Sequence, residues 1–341
     1  MHRLYIALVI STLISLTSCE NRDIEFRSFQ YEIMGQKQLS QPQEQDVLKI
    51  LHHRFIAQGV ENENLWIEFQ GNKLIMDLRA QLSESIIDQL VCTKTSVALF
   101  ETLDNSDIYP LLDELNTALR DKGYITHEPG KIIDSVNSHG IELVDNEISL
   151  DQYAAENPLW NVLRPAIYQG EDGLYYIGEG PTIGFASIDD TAQINKILTN
   201  DMVKFEIGNK FIPVWANEPY DIDGMFVQLY ALKKNGNLMT FSAGNVLSAK
   251  TVSNEANGFE LSIQPNEEAA DQFERLTSAY VHKSIAITCG ARVYSAPRIE
   301  TVIEGGNLSI TTGSGAVDGI EGLKSLVLSE PMPVKFFRVG S

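Results

Sequence analysis

Apolar residues recur at helical spacing from Val47 through Leu48 and Leu51 to Phe55, with Pro42 placed for a first turn and Gly59 placed to end it. That spacing predicts an amphipathic helix. Residues 73–78 then alternate as a strand, residues 83–90 read as a short helix with Ser83 as N-cap, and residues 96–103 as a further strand. A second block of the same kind closes the chain. It has strands over 284–288, 292–295 and 308–311, then a helix through Val317, Ile320, Leu323 and Val327 that Pro331 and Pro333 stop before residues 334–337. Two mixed blocks at opposite ends predict one split α+β sandwich.

Between them, Ile108, Leu111, Leu112, Leu115 and Leu119 predict a helix over 106–120, with Gly123 past its end. Strands are expected at 143–148, 175–177 and 226–231, and a helix at 190–198. Pro265-Asn266 opens another helix carrying Ala269, Phe273, Leu276 and Tyr280. The inserted middle is therefore itself α+β. No repeat of 20–50 residues recurs, which excludes solenoids and propellers.

The first residues change the picture of where the chain works. Met1 to Arg3 are basic, residues 4–16 are apolar, and Leu16-Thr17-Ser18-Cys19 resembles a bacterial lipobox. Residues 1–18 are expected to be a lipoprotein signal peptide, with Cys19 acylated as the first mature residue. The apolar run is too short to cross about 30 Å of hydrocarbon. Residues 19–45 are polar and read as a tether that can end in one strand. The remaining chain suffices for two domains or for one with a large insertion.

A formal charge of −20, from 46 acidic and 26 basic residues, argues against binding nucleic acid or anionic head groups. Hydrophobic content of 43% and charged content of 21% are globular values. Apart from Cys19 there are two cysteines, Cys92 and Cys289, in a compartment that tolerates disulfides; a bridge and two buried thiols are both compatible with the sequence.

Chemical motifs are weak. Gly178 to Gly184 is glycine-rich, but its spacing does not fit a dinucleotide fingerprint, and it reads as a turn joining strands. His52 and His53 lie about 100° apart on a helix and cannot share a metal. Gly313-Ser314-Gly315 lacks the Gly-x-Ser-x-Gly of a nucleophile elbow. Pairs such as Asp221 and Asp223, or Glu267 and Glu268, arise by chance among so many acids. No enzymatic activity, cofactor or metal is expected.

One resemblance spans about residues 44–338. Lys283-Ser284-Ile285-Ala286-Ile287-Thr288, then Arg292-Val293-Tyr294-Ser295-Ala296-Pro297, then Glu304-Gly305-Gly306-Asn307-Leu308 are similar to the closing segment of the first periplasmic domain of SecD. SecD, often fused to SecF, is a membrane component that assists protein export through the Sec channel. Phe273 to Thr277 resembles the helix before that segment, and Leu323 to Pro333 resembles the family's terminal helix and its exit. Arg54, Gly59 and the strand at 73–78 resemble its N-terminal signature, and residues 190–195 and 229–233 resemble segments of the fused forms.

The resemblance implies a split ferredoxin-like base from residues 46–104 and 282–338, with a mobile head inserted at 105–281 and hinges near Asn105 and Val281. It also implies family-motif roles for Arg54, Gly59, Tyr294, Ser295, Ala296, Pro297, Gly305 and Gly306. The expected function is a non-catalytic module, lipid-anchored to the bacterial envelope with its body in the periplasm. It would bind translocating or unfolded polypeptide, by strand addition to the head, or bind Sec components. The alternative is a structural or ligand-binding envelope lipoprotein that has kept the fold and lost the export role. Thr288-Cys289-Gly290 and Tyr280-Val281-His282-Lys283 depart from the family's turns. The family's proton-coupled membrane helices have no counterpart in this sequence, which implies work by binding.

Overall fold

The computed structural model describes residues 25–35, 38–94, 97–124, 126, 150–199, 210–221, 223–253, 258–312 and 317–339. Cys19, the strand expected at 143–148 and Gly313-Ser314-Gly315 lie outside them.

The chain is α+β. Its first unit runs β1 (Arg27–Ile33), α1 (Gln41–Ala57), β2 (Leu65–Gln70), β3 (Lys73–Leu78) and α2 (Glu84–Cys92). Ser40 and Gln43 form a capping box ahead of α1, Gly59 (φ +81°) follows its end, and the Ser83 hydroxyl accepts from the Ile86 N–H. The last strand of the chain, β16 (Phe336–Arg338), completes this unit. The sheet order is β16-β1-β3-β2, all antiparallel. That is the β-α-β-β-α-β connectivity of a ferredoxin-like sandwich, with residues 93–335 between its second helix and last strand.

Two expected boundaries differ. Residues 27–33 are not tether: Phe29, Tyr31 and Ile33 point into the core and Ser28, Gln30 and Glu32 away from it, so β1 sits inside the sheet. At the C-terminal end only Met332, Val334 and Phe336 join this core, whereas residues 285–312 belong to the other unit.

That unit holds β4 (Val97–Thr102), α3 (Asn105–Asp121), α4 (Leu150–Glu156), β5 (Arg164–Pro165), β6 (Ile167–Gln169), β7 (Tyr175–Ile177), β8 (Thr182–Ser187), α5 (Thr191–Leu198), β9 (Phe211–Pro219) and β10 (Phe226–Phe241). It continues through β11 (Val246–Ser253), β12 (Phe259–Pro265), α6 (Glu267–Ala279), β13 (Ile285–Cys289), β14 (Arg292–Ser295), β15 (Leu308–Thr312) and α7 (Val317–Val327).

Seven of the strands run β4-β13-β14-β9-β10-β8-β5. The first half of β10 pairs with β8 and β9 and its second half with β4, so the sheet closes on itself. The change of partner falls near Asn235 (φ +59°) and Gly236, where the register shifts. β11, β12 and β15 form a second sheet, and α6 and α7 share its core through Phe273, Ile320, Leu323 and Leu326. On the other side, α3 and α5 cover β8, β9 and β10 through Leu112, Leu115 and Ile194.

The expected division at 281/282 therefore falls within one body. β12 pairs with β15 across it, and β10 pairs with β4 across the other expected division at 104/105. Residue pattern marks strands but not their partners, which is why the two end blocks looked self-contained.

Candidate functional site

Two features stand apart from ordinary core and surface. The first is the hairpin β6–β7, which pairs only with itself among the described strands. Its register sets Ile167 opposite Ile177, Tyr168 opposite Tyr176 and Gln169 opposite Tyr175, so Ile167, Ile177 and Tyr175 share one face and the Tyr168–Tyr176 pair, ring centroids 5.7 Å apart, the other. Every residue of both strands is exposed, and Leu174 and Tyr175 at the tip each reach 61%. A two-stranded ribbon with apolar side chains on both faces is marginal by itself.

Its base is held firmly instead. Asn105, fully buried at the start of α3, donates from Nδ2 to the Ala166 carbonyl at 2.8 Å and to the Gly178 carbonyl at 3.2 Å, one from each strand's flank. The Asp104 carboxylate caps α3 through the Ser106 N–H and accepts from the Gly180 N–H at 2.8 Å; together these donors hold it below the usual carboxylate range. Gly180 (φ +95°) makes the turn into β8. At the tip, the Tyr176 hydroxyl donates to Asp172 at 2.5 Å. The glycine-rich stretch is thus a joint between strands, and Asn105 clamps the ribbon's root to a helix.

The second feature is the junction between the ferredoxin-like unit and the larger body. Arg54 on α1 is fully buried. Its Nη1 donates to the carbonyls of Leu90 (2.6 Å) and Thr93 (2.8 Å), its Nε to Ser329 Oγ (3.1 Å) and its Nη2 to the Glu330 carbonyl (3.4 Å). No carboxylate is among these acceptors. The guanidinium instead meets the carbonyl end of α2, where the helix dipole is negative, and the chain leaving α7. Burial draws its pKa down to about 10, so it stays charged at neutral pH.

Beside it, Gln58 donates to the Glu321 carbonyl (2.5 Å) and Ser325 Oγ (2.6 Å), and Gln89 donates to the Tyr294 hydroxyl (2.5 Å). A side chain at Gly322 would overlap the Gln89 amide, which is how close α7 comes to α2. Half-buried Glu218 lies against Gly319 with its carboxyl pKa raised by burial.

The other motif residues serve the fold. Ser295 pairs with Ile287, Ala296 packs against the small core inside the closed sheet, and the Pro297 carbonyl accepts from the Ile285 N–H. Gly305 (φ +72°) donates its N–H to Glu274, and Gly306 (φ +68°) presses on Ala270. So Arg54 and Tyr294 meet at one junction, while the remaining motif residues do not join them.

Cys92 and Cys289 are thiols, with no disulfide between them. Cys92 packs against the first core and Cys289 lies in the second, and burial pushes both up to about 12, where they are poor nucleophiles. A groove of about 530 Å³ between α1 and the exit loop is lined by Ile50, His53, Pro331 and Pro333. Among the described residues, no three or more His, Cys, Asp or Glu side chains are grouped to hold a metal. None of the described helices is long and apolar enough to cross a membrane.

Residues 228–334 match the family model for the SecDF P1 head subdomain. The chain is also similar to SecD proteins. It is 29% identical over 181 residues to the protein translocase subunit SecD of Rhodothermus marinus, covering 52% of this chain and 27% of that protein. It is 40% identical over 75 residues to the SecD of Acidaminococcus fermentans, covering 22% of this chain and 18% of that one. This chain thus spans about a quarter or less of the length of these relatives. A crystal structure of SecDF in a super-membrane-facing form aligns with 98% of this chain and 33% of its own at TM-score 0.47 and 15% identity. The span that matches the family model contains Tyr294, Gly305, Gly306 and α7; Arg54 and the hairpin lie outside it.

Proposed function

We propose that this chain is a non-catalytic SecD-like module of protein export, anchored by lipid at Cys19 with its body in the periplasm, and that it holds translocating or unfolded polypeptide. Its association with export is supported by the SecD match. The observation that carries polypeptide binding is the β6–β7 hairpin, whose Ile167, Tyr168, Leu174, Tyr175, Tyr176 and Ile177 all face solvent on a clamped base. Covering a large apolar side chain gains roughly 1.5–3 kcal/mol. An extended segment laid along either strand satisfies backbone groups and covers these side chains together, which is strand addition. Tyrosine suits a surface that must accept many sequences, since it offers a broad apolar face and a polar tip.

Purified protein titrated with a fluorescent, reduced and carboxymethylated polypeptide that cannot refold is expected to show saturable binding, competed by unlabelled unfolded chain and not by native protein. Absence of binding, or equal competition by native protein, would contradict the proposal.

A further inference from the structure

We infer that the hairpin selects extended segments in which apolar residues alternate with lysine or arginine, and rejects acidic ones. This rests on the polypeptide-binding reading and narrows it to a chemical class. Between Ile167 and Gly180 the charged residues are Glu171, Asp172 and Glu179, with no lysine or arginine. All three are exposed. The preceding basic residue, Arg164, is stacked on the Phe226 ring 4.7 Å away rather than reaching along the ribbon.

The placement of these acids matters as much as their number. Glu171 and Asp172 sit in the turn joining the strands, and Glu179 beside the clamped root, so an added strand passes a carboxylate at each end of its apolar stretch. The Tyr176 hydroxyl and Leu174 N–H hold the Asp172 carboxyl below its ordinary pKa, which keeps it ionised. Alternation in a bound strand turns successive side chains to opposite faces. Apolar positions then meet the Ile167–Ile177 or Tyr168–Tyr176 row, while cations near the ends approach the carboxylates.

The same charges weigh against other occupants. An anionic bilayer would meet three carboxylates and no cation, on a chain of net charge −20. A second copy docking hairpin to hairpin would bring the acidic turns together.

The test compares three otherwise identical fifteen-residue peptides, valine alternating with lysine, serine or glutamate, binding to the full-length protein by fluorescence anisotropy. At low salt the lysine peptide is expected to bind about tenfold tighter than the glutamate peptide, the gap closing to about twofold or less in 0.5 M NaCl. Joint Glu171→Gln and Glu179→Gln substitution, at exposed positions and with an unchanged thermal midpoint as the folding control, leaves Asp172 as the remaining carboxylate and is expected to remove most of the lysine peptide's advantage over the serine peptide. Equal binding of lysine and glutamate peptides, or an unchanged preference in the double variant, would overturn the charge selection and leave polypeptide binding standing. Failure of all three peptides to bind would instead overturn the polypeptide reading. Capture by phosphatidylglycerol vesicles that is lost on Tyr175→Ser would replace the peptide with a membrane.

Discussion

Replacing Arg54 with alanine is expected to lower the free energy of unfolding by about 3–5 kcal/mol, read as a fall in the urea midpoint at unchanged slope. The reason is the geometry of its acceptors. One guanidinium serves two carbonyls at the end of α2, the hydroxyl of Ser329 and the carbonyl of Glu330, all at the boundary between units. Alanine takes the guanidinium donor from these groups and opens a cavity behind α1. Lysine keeps the charge but cannot span that fork, so Arg54→Lys is expected to recover less than half of the loss. Because the clip joins the ferredoxin-like unit to α7, amides of α1 and α2 should exchange faster in the variant even below the unfolding transition. A loss below 1 kcal/mol in Arg54→Ala would mean that apolar contacts alone hold the junction.

The second large effect is a contrast between neighbours. Gly306→Ala is expected to cost about 2–5 kcal/mol, combining a left-handed backbone at roughly 1–2 kcal/mol with steric overlap at roughly 1–3 kcal/mol. A Cβ there would lie 2.4 Å from the Ala270 Cα and 2.7 Å from its carbonyl oxygen, backbone atoms of α6 that cannot swing aside. Gly305 has nearly the same φ, +72° against +68°, yet nothing lies within 4 Å of its Cβ position. Gly305→Ala should therefore cost only the conformational part. Thermal melts of the two variants separate these contributions, and equal losses would show that the approach to α6 is unimportant.

How much of this was legible in the chain depended on whether the signal was local. The ends of α1, α2 and α6 follow from Gly59, Ser83 and Asn266, each of which acts within one turn of its own helix. β1 was equally local, since Phe29, Tyr31 and Ile33 alternate, but the polar flanks around it suggested a tether. β10 was recognised only as far as Ala231, because its middle, Lys233 to Asn237, is polar where the strand changes partner. The closed sheet depends on pairings such as β10 with β4 that span more than a hundred residues, and no local pattern encodes them.

The same distinction applies to the sites. Arg54 and Tyr294 were marked by the family resemblance, but that they approach one junction from distant parts of the chain emerges only from the fold. The apolar residues at 175–177 mark a strand but do not say whether it is covered. Its exposure comes from the clamp at Asn105, which fixes the ribbon's root and leaves its length uncovered. Whether an apolar strand is core or contact surface is decided by what the rest of the chain places against it.

The central claim, that this ribbon touches polypeptide during export, is tested most directly in cells. A photo-crosslinking residue at Tyr175, compared with one at exposed Leu247 on β11, is irradiated while an export intermediate is arrested in the Sec channel. The account predicts an adduct between position 175 and the arrested chain, weakened at least tenfold by Leu174→Ser, with little from position 247. Adducts of equal strength from both positions, or none from position 175, would contradict it.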